Sequence, residues 1–129
     1  MQTTLRHLNP RKIAPPAHYS HAVEASSIGR ILFVSGQVGT NPDGTVADGI
    51  SEQTKAAIEN LRAVLAEAGM DVSDVVKFTI YLTDASLLEG FVGAGAGPLS
   101  SPPPATTLLY VKALASPQLL VEIEAIAVG

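Results

Sequence analysis

The chain has 129 residues, a net charge of −4 and a pI near 5.2, and its eight Lys and Arg residues are scattered, with only Arg11 and Lys12 adjacent. That length suits one domain, and the acidic balance leaves no basic stripe to neutralise a phosphate backbone, which argues against nucleic acid as a partner. Cysteine is absent, which excludes disulfides, thiolate catalysis and cysteine-based metal sites.

Apolar residues make up 47% of the chain and aromatics only 5%, so the core must be built from Val, Ile, Leu and Ala. The aliphatic excess predicts a homo-oligomer that buries part of it between copies. No run approaches the ~20 apolar residues that span a bilayer, and residues 1–12 are polar and carry no apolar signal core, so a cytoplasmic protein without membrane contact is expected.

Within a single domain over residues 1–129, residues 1–17 read as an extended arm. Pro10, Pro15 and Pro16 remove donors there and bias their predecessors towards extended geometry. Residues 19–24 and 30–38 are apolar, β-branched stretches on either side of Ser26-Ser27-Ile28-Gly29, the pattern of an antiparallel hairpin. Ile31, Leu32, Phe33 and Val34 follow one another, as in a strand covered on both faces. Asn41-Pro42-Asp43-Gly44 predicts a type I turn, with Thr45 and Val46 returning as a short strand.

Between residues 51 and 68, Ala57, Ile58, Leu61, Val64, Leu65 and Ala68 fall at spacings of three and four. They predict a helix closed by a left-handed Gly69 and capped at its start by Asp48 or Ser51. Val76, Phe78, Ile80 and Leu82 alternate with Lys77, Thr79 and Tyr81, a strand with one apolar face. Asp84 and Ser86 offer caps to a second helix carrying Leu87, Leu88, Phe91 and Val92. That helix must be short, because Gly90, Gly93, Gly95 and Gly97 each cost about 1 kcal/mol relative to alanine and Pro98 ends it. The glycine-rich run and residues 100–104 then read as a loop, and residues 106–113 and 120–128 as closing strands. The order β-β-β-α-β-α-β-β predicts an α/β fold with a mixed sheet and both helices on one face.

Few segments carry chemistry. Gly93-Ala94-Gly95-Ala96-Gly97 lacks the Lys-Ser/Thr of a phosphate loop. Ser35-Gly36 ends a strand outside any Gly-x-Ser-x-Gly elbow, which argues against a serine hydrolase. His18 and His21 are three apart and in a strand would face opposite sides, so no metal site is expected of them. Glu122 and Glu124 are two apart and share a strand face, opposite Val121, Ile123, Ala125 and Ala127. Two readings of that pair stand: a solvated or ion-paired face, or one carboxylate bordering a pocket where desolvation would fit it for proton transfer.

Several segments, in order along nearly the whole chain, resemble the RidA/YjgF family. They are Tyr19-Ser20-His21-Ala22-Val23, Leu32-Phe33-Val34-Ser35-Gly36-Gln37, Gln53-Thr54 with Glu59-Asn60-Leu61, Asp74-Val75-Val76-Lys77 with Tyr81-Leu82-Thr83-Asp84, and Val121–Val128. The resemblance implies a chorismate-mutase-like α/β fold assembled as a homotrimer, with the sheets forming a central barrel and small-molecule clefts between subunits. It also implies hydrolysis of reactive enamines and imines without any cofactor. In that chemistry a glutamate handles the protons of the attacking water, and an arginine pairs bidentately with the substrate carboxylate.

Carried over by position, Glu124 matches the catalytic glutamate, and Tyr19, Ser35 and Gly36 match cleft residues. Thr106 stands at the arginine position and Leu108 at one often held by cysteine, with His21 as another group that would meet a substrate carboxylate. Threonine is a good strand former, but it has neither the charge nor the planar fork of donors of a guanidinium. The expected substrate is therefore a reactive imine, enamine or carbonyl metabolite other than the standard 2-imino acids. One alternative is a non-catalytic trimer that binds a small metabolite or organises a partner enzyme, which the missing arginine and the glycine-rich helix favour. The other is the endoribonuclease or translation-inhibitor activity attached to some family members, against which the acidic balance speaks.

Overall fold

A computed structural model describes residues 2–97 and 99–129. Its main sheet is organised around β6 (Val121–Val128), whose strict alternation sends Val121, Ile123, Ala125 and Ala127 inward, all buried, and leaves Glu122 and Glu124 on the opposite face. β3 (Ile31–Val38) and β4 (Val75–Leu82) flank it, both antiparallel, and β5 (Ala105–Tyr110) adds to β4 in parallel, giving the order β3-β6-β4-β5. Val34, Ala125 and Phe78 share one row of the inner face, and Ile123, Ile80 and Leu108 share another.

The inner face is covered by α1 (Gly49–Glu67), which buries Ala57, Ile58, Leu61 and Leu65 at the predicted spacing. Each of the leucines is fully enclosed and contributes about 1.5–3 kcal/mol by leaving water. Met70 N–H donates to Leu65 O at 2.8 Å and Gly69 N–H to Ala66 O at 2.9 Å, the paired bonds of a Schellman end, with Gly69 at φ +71°. Asp48 holds the N-cap position in extended geometry, but its side chain makes no capping hydrogen bond. Gln53 lies against the backbone of Gly39, where any side chain would collide with it. Its amide is fully used, donating to Gln118 O at 2.9 Å and accepting from Leu120 N–H at 2.8 Å.

The hairpin expected from residues 19–24 and 30–38 does not form. β2 (Ala22–Ser26) pairs instead with β1 (Thr4–Leu8), which lies within the N-terminal arm, in a separate two-stranded sheet. Gly29 and Arg30 N–H donate to Gly129 O at 3.2 and 2.8 Å, so the chain entering β3 is already committed to the end of β6. The wholly apolar inner face of β6 offers Leu32 and Val34 more burial than the half-exposed β2 can. β3 is covered on one face only within the chain: Ile31 and Phe33 remain 53% and 73% exposed.

Other local expectations shift for backbone reasons. The Asn41–Gly44 turn forms, with Gly44 N–H donating to Asn41 O at 2.9 Å, but the returning strand is a single bridge between Thr40 and Val46. A bulge between Val75 and Lys77 puts Val75 rather than Val76 into the core. The second helix, α2 (Leu88–Phe91), is one turn long and follows a 3₁₀ turn capped by Asp84. The glycine run is no simple loop: Val92–Ala96 continues as a wide turn until Gly95 leaves helical geometry at φ +95°. Pro98, expected to end that helix, lies outside the described residues. β5 ends at Tyr110, three residues short of the expected strand.

Candidate functional site

The parallel register of β4 and β5 sets Phe78 beside Thr106 and Ile80 beside Leu108 on the inner face of the sheet. Between that face, α1 and α2 lies a cavity of about 230 Å³. Its inner wall is core: Ile58, Phe78, Ile80, Phe91 and Ile123, all buried. Towards solvent, at its mouth, it is lined by His18, Tyr19, Leu88 and half-buried Thr106, and Val92, Ala96 and Gly97 close one side. Among the described residues no lysine, arginine or carboxylate lines it.

Tyr19 reaches the mouth because the next residue is clamped to the start of β5. Ser20 N–H donates to Pro104 O at 3.0 Å, its hydroxyl donates to Pro103 O, and it bridges Ala105 in parallel. The Thr106 hydroxyl, at the position matched by resemblance to the deaminase arginine, donates back to Pro104 O at 3.2 Å. Its one donor is therefore committed to its own backbone.

His21 sits beside this mouth but serves the arm. Its N–H donates to Asn9 Oδ1 at 2.8 Å, its Nε2 pairs with Ala14 O at 2.9 Å, and its ring meets Tyr19 edge to face at 5.4 Å between centroids. The residues holding it bind the arm down at the point where Tyr19 enters the cavity.

Glu124 lies on the other face of the sheet. Its register partner on β4 is Thr79, and Tyr81, opposite Glu122, reaches diagonally to donate its hydroxyl to Glu124 Oε1. This bond, then burial, then the charges of Glu124 and Glu122 push the Tyr81 phenol above the usual tyrosine range. Ser35 and Gly36 belong to the same face, at the bulge where β3 skips past Glu124. At Gly36 the Glu122 carboxylate lies against the backbone, in the space a Cβ would take, so a larger residue there would displace that carboxylate.

The seven residues singled out from sequence thus divide three ways. Tyr19, Thr106 and Leu108 line the cavity; Ser35, Gly36 and Glu124 share the opposite face; His21 anchors the arm. Within one chain the sheet itself separates Glu124 from Thr106. Tyr81 went unnoticed in the sequence, although its parity with Thr79 and Lys77 already set it on the strand's polar side. The cavity wall from Val92 to Gly97 went unnoticed too, and its signal was the lack of side-chain volume in the glycine run. Among the described residues no three His, Asp or Glu side chains gather as a metal site, and no helix is long and apolar enough to cross a membrane.

Comparison with known proteins bears on the whole of this arrangement. The family model for Endoribonuclease L-PSP matches residues 10–129. A RutC family protein of Pyrococcus abyssi is 38% identical over 120 residues, covering 92% of this chain and 89% of that one. The 2-iminobutanoate/2-iminopropanoate deaminase of Salmonella typhimurium is 34% identical over 70 residues, 54% of this chain and 55% of the other. Among solved structures, YyfB of the conserved Rid protein family from Yersinia pestis superposes with a TM-score of 0.79 at 33% identity, covering 96% and 98% of the two chains.

Proposed function

Because the chain belongs to the Endoribonuclease L-PSP family, the RidA/YjgF family, and shares its chorismate-mutase-like α/β fold, we propose that it is a Rid-type hydrolase. Its substrate in this reading is an imine, enamine or related reactive carbonyl compound that presents no carboxylate to the cavity. The observation that carries the proposal is the Thr106 mouth: its hydroxyl is spent on Pro104 O, and among the described residues no lysine or arginine lines the cavity. A carboxylate entering there would lose its water without gaining a charged partner.

The reaction is hydrolysis of C=N. Water oxygen bonds to the imine carbon, one water proton passes through a carboxylate to nitrogen, and the resulting carbinolamine collapses to a carbonyl compound and ammonia or an amine. Glu124 is the carboxylate we assign to that transfer, with Tyr81 holding its Oε1 and so fixing which oxygen faces the water. Since Glu124 and the cavity occupy opposite faces of one sheet, the reading takes the site to be shared between copies of a homotrimer. Support comes from Ile31 and Phe33, which lie exposed on the Glu124 face and would be covered there. Turnover of imines generated by an amino-acid or amine oxidase tests the assignment: Glu124→Gln should lower the rate on the order of a hundredfold or more while the oligomer persists. Unchanged turnover would remove Glu124 from the mechanism.

A second reading, a trimer that binds a metabolite without consuming it, draws on the Thr106 mouth, whose hydroxyl is spent on Pro104 O and leaves no free donor there to polarise a ligand. A ligand that raises the melting temperature and is recovered unaltered decides for it.

A further inference from the structure

The cavity runs deeper than the residues assigned to binding. Beyond Tyr19, Thr106 and Leu108 it reaches Ile58, Ile80, Phe91 and Ile123, side chains of the hydrophobic core itself. It exists because the chain supplies too little volume at one wall. α2 stops at Phe91, and the following turn brings only Val92 and the Ala96 methyl to the cavity, with glycine at 93, 95 and 97. A regular helix with large residues at those positions would fill the gap between α1 and β5. Such a space is poor in partners for water, which needs two to four polar contacts to stay.

We infer that this cavity is a binding pocket for a small uncharged molecule whose aromatic ring or short aliphatic group enters the core while its carbonyl or imine end stays at the Tyr19 and Thr106 mouth. An engineered apolar cavity of about 150 Å³ in another protein holds benzene. At about 230 Å³ this one has room for a ring together with a small substituent. The polar groups are all at one end: His18, Tyr19 and Thr106 lie at the mouth, and the inner wall is aliphatic and aromatic. A ligand that is apolar at one end and carries a neutral acceptor at the other matches this asymmetry. The inference rests on the proposed reading of the Thr106 side as the substrate face, and adds the chemical class.

Stable ketones stand in for reactive imines in the test. Acetophenone, cyclohexanone and 2-oxobutanoate are titrated into the assembled full-length protein labelled at isoleucine methyls. Acetophenone and cyclohexanone should shift Ile58, Ile80 and Ile123 and leave Ile13 and Ile28 in place, with 2-oxobutanoate binding at least tenfold more weakly. Ala96→Leu, which fills the pocket from the glycine-rich wall, should weaken acetophenone at least tenfold, and Leu108→Phe does the same from the opposite wall should the first variant fold poorly. Absence of shifts at the three cavity isoleucines, equal affinity for 2-oxobutanoate, or insensitivity of a folded filling variant overturns the pocket. Binding without any imine turnover would leave the pocket standing and remove the hydrolase, and turnover of small imines without ketone binding would do the reverse.

Discussion

Replacing Thr106 by arginine is the sharpest perturbation of this site. The threonine is half-buried on β5, an edge strand, and its hydroxyl bonds only to Pro104 O two residues back, so its loss frees one local acceptor and breaks no long-range contact. The arginine would set a guanidinium at the mouth of a cavity that no lysine or other arginine lines among the described residues. A charge-assisted pair with a substrate carboxylate contributes about 1.5–3 kcal/mol, or roughly ten- to 150-fold in affinity. The assay generates 2-imino acids from amino acids and neutral imines from amines in parallel, and follows decay of each with wild type and Thr106→Arg. Wild type should favour the neutral series, and the variant should gain on the 2-imino acids by that factor, chiefly through KM. Wild-type preference for 2-imino acids would refute the reasoning, because the cavity would then hold a carboxylate with no cation to meet it.

The Tyr81 phenol should titrate above the ordinary value of 10.0 in wild type and fall back in Glu124→Gln, read from tyrosinate absorbance against a Tyr81→Phe background. Its raised value means that its contribution to stability is complete below that ordinary pKa and is lost as pH rises through the higher folded value, so Glu124→Gln should flatten stability changes in that alkaline range. Phe33→Glu, at a position 73% exposed on the Glu124 face, should leave the fold intact and shift the protein to monomers in sedimentation; a persisting trimer would mean that this face is not the interface. RNA binding at physiological salt should be undetectable, as expected for a net charge of −4; a retained complex there would revive the nuclease reading.

How far the sequence reached depends on what each segment had to satisfy. α1 and β6 were legible because their periods, 3.6 and 2, serve a single local purpose, burying one face. The pairing of β3 was not, since its partner lies some 90 residues on and an apolar strand next to a Ser-Gly turn satisfies the local rules for a hairpin equally well. The shift from Val76 to Val75 came from a bulge, which leaves no trace in an alternating pattern. Site residues behaved alike. Parity put Glu122 and Glu124 on one face correctly, but the diagonal reach of Tyr81 depended on the β4–β6 register. Thr106 was picked out only by resemblance, and its spent hydroxyl is a fact of the turn before it.

In the proposed reading the two faces of this sheet carry different tasks. A carboxylate that moves protons needs hydrogen-bond partners and some water, and Glu124 has Tyr81 and an open face. A pocket that holds an apolar group needs the opposite, and the inner face against α1 supplies it. One strand cannot present the same residue to both, so β6 gives Ile123 to the cavity and Glu124, the next residue, to the other side. Chemistry that requires both environments around one molecule then has to borrow one of them from a second copy. It follows that Glu124→Gln and Ala96→Leu protomers, each altered on one face, should complement each other when mixed. Recovery of neutral-imine turnover by mixed oligomers beyond what either variant gives alone would show a shared site, and strictly averaged rates would count against it.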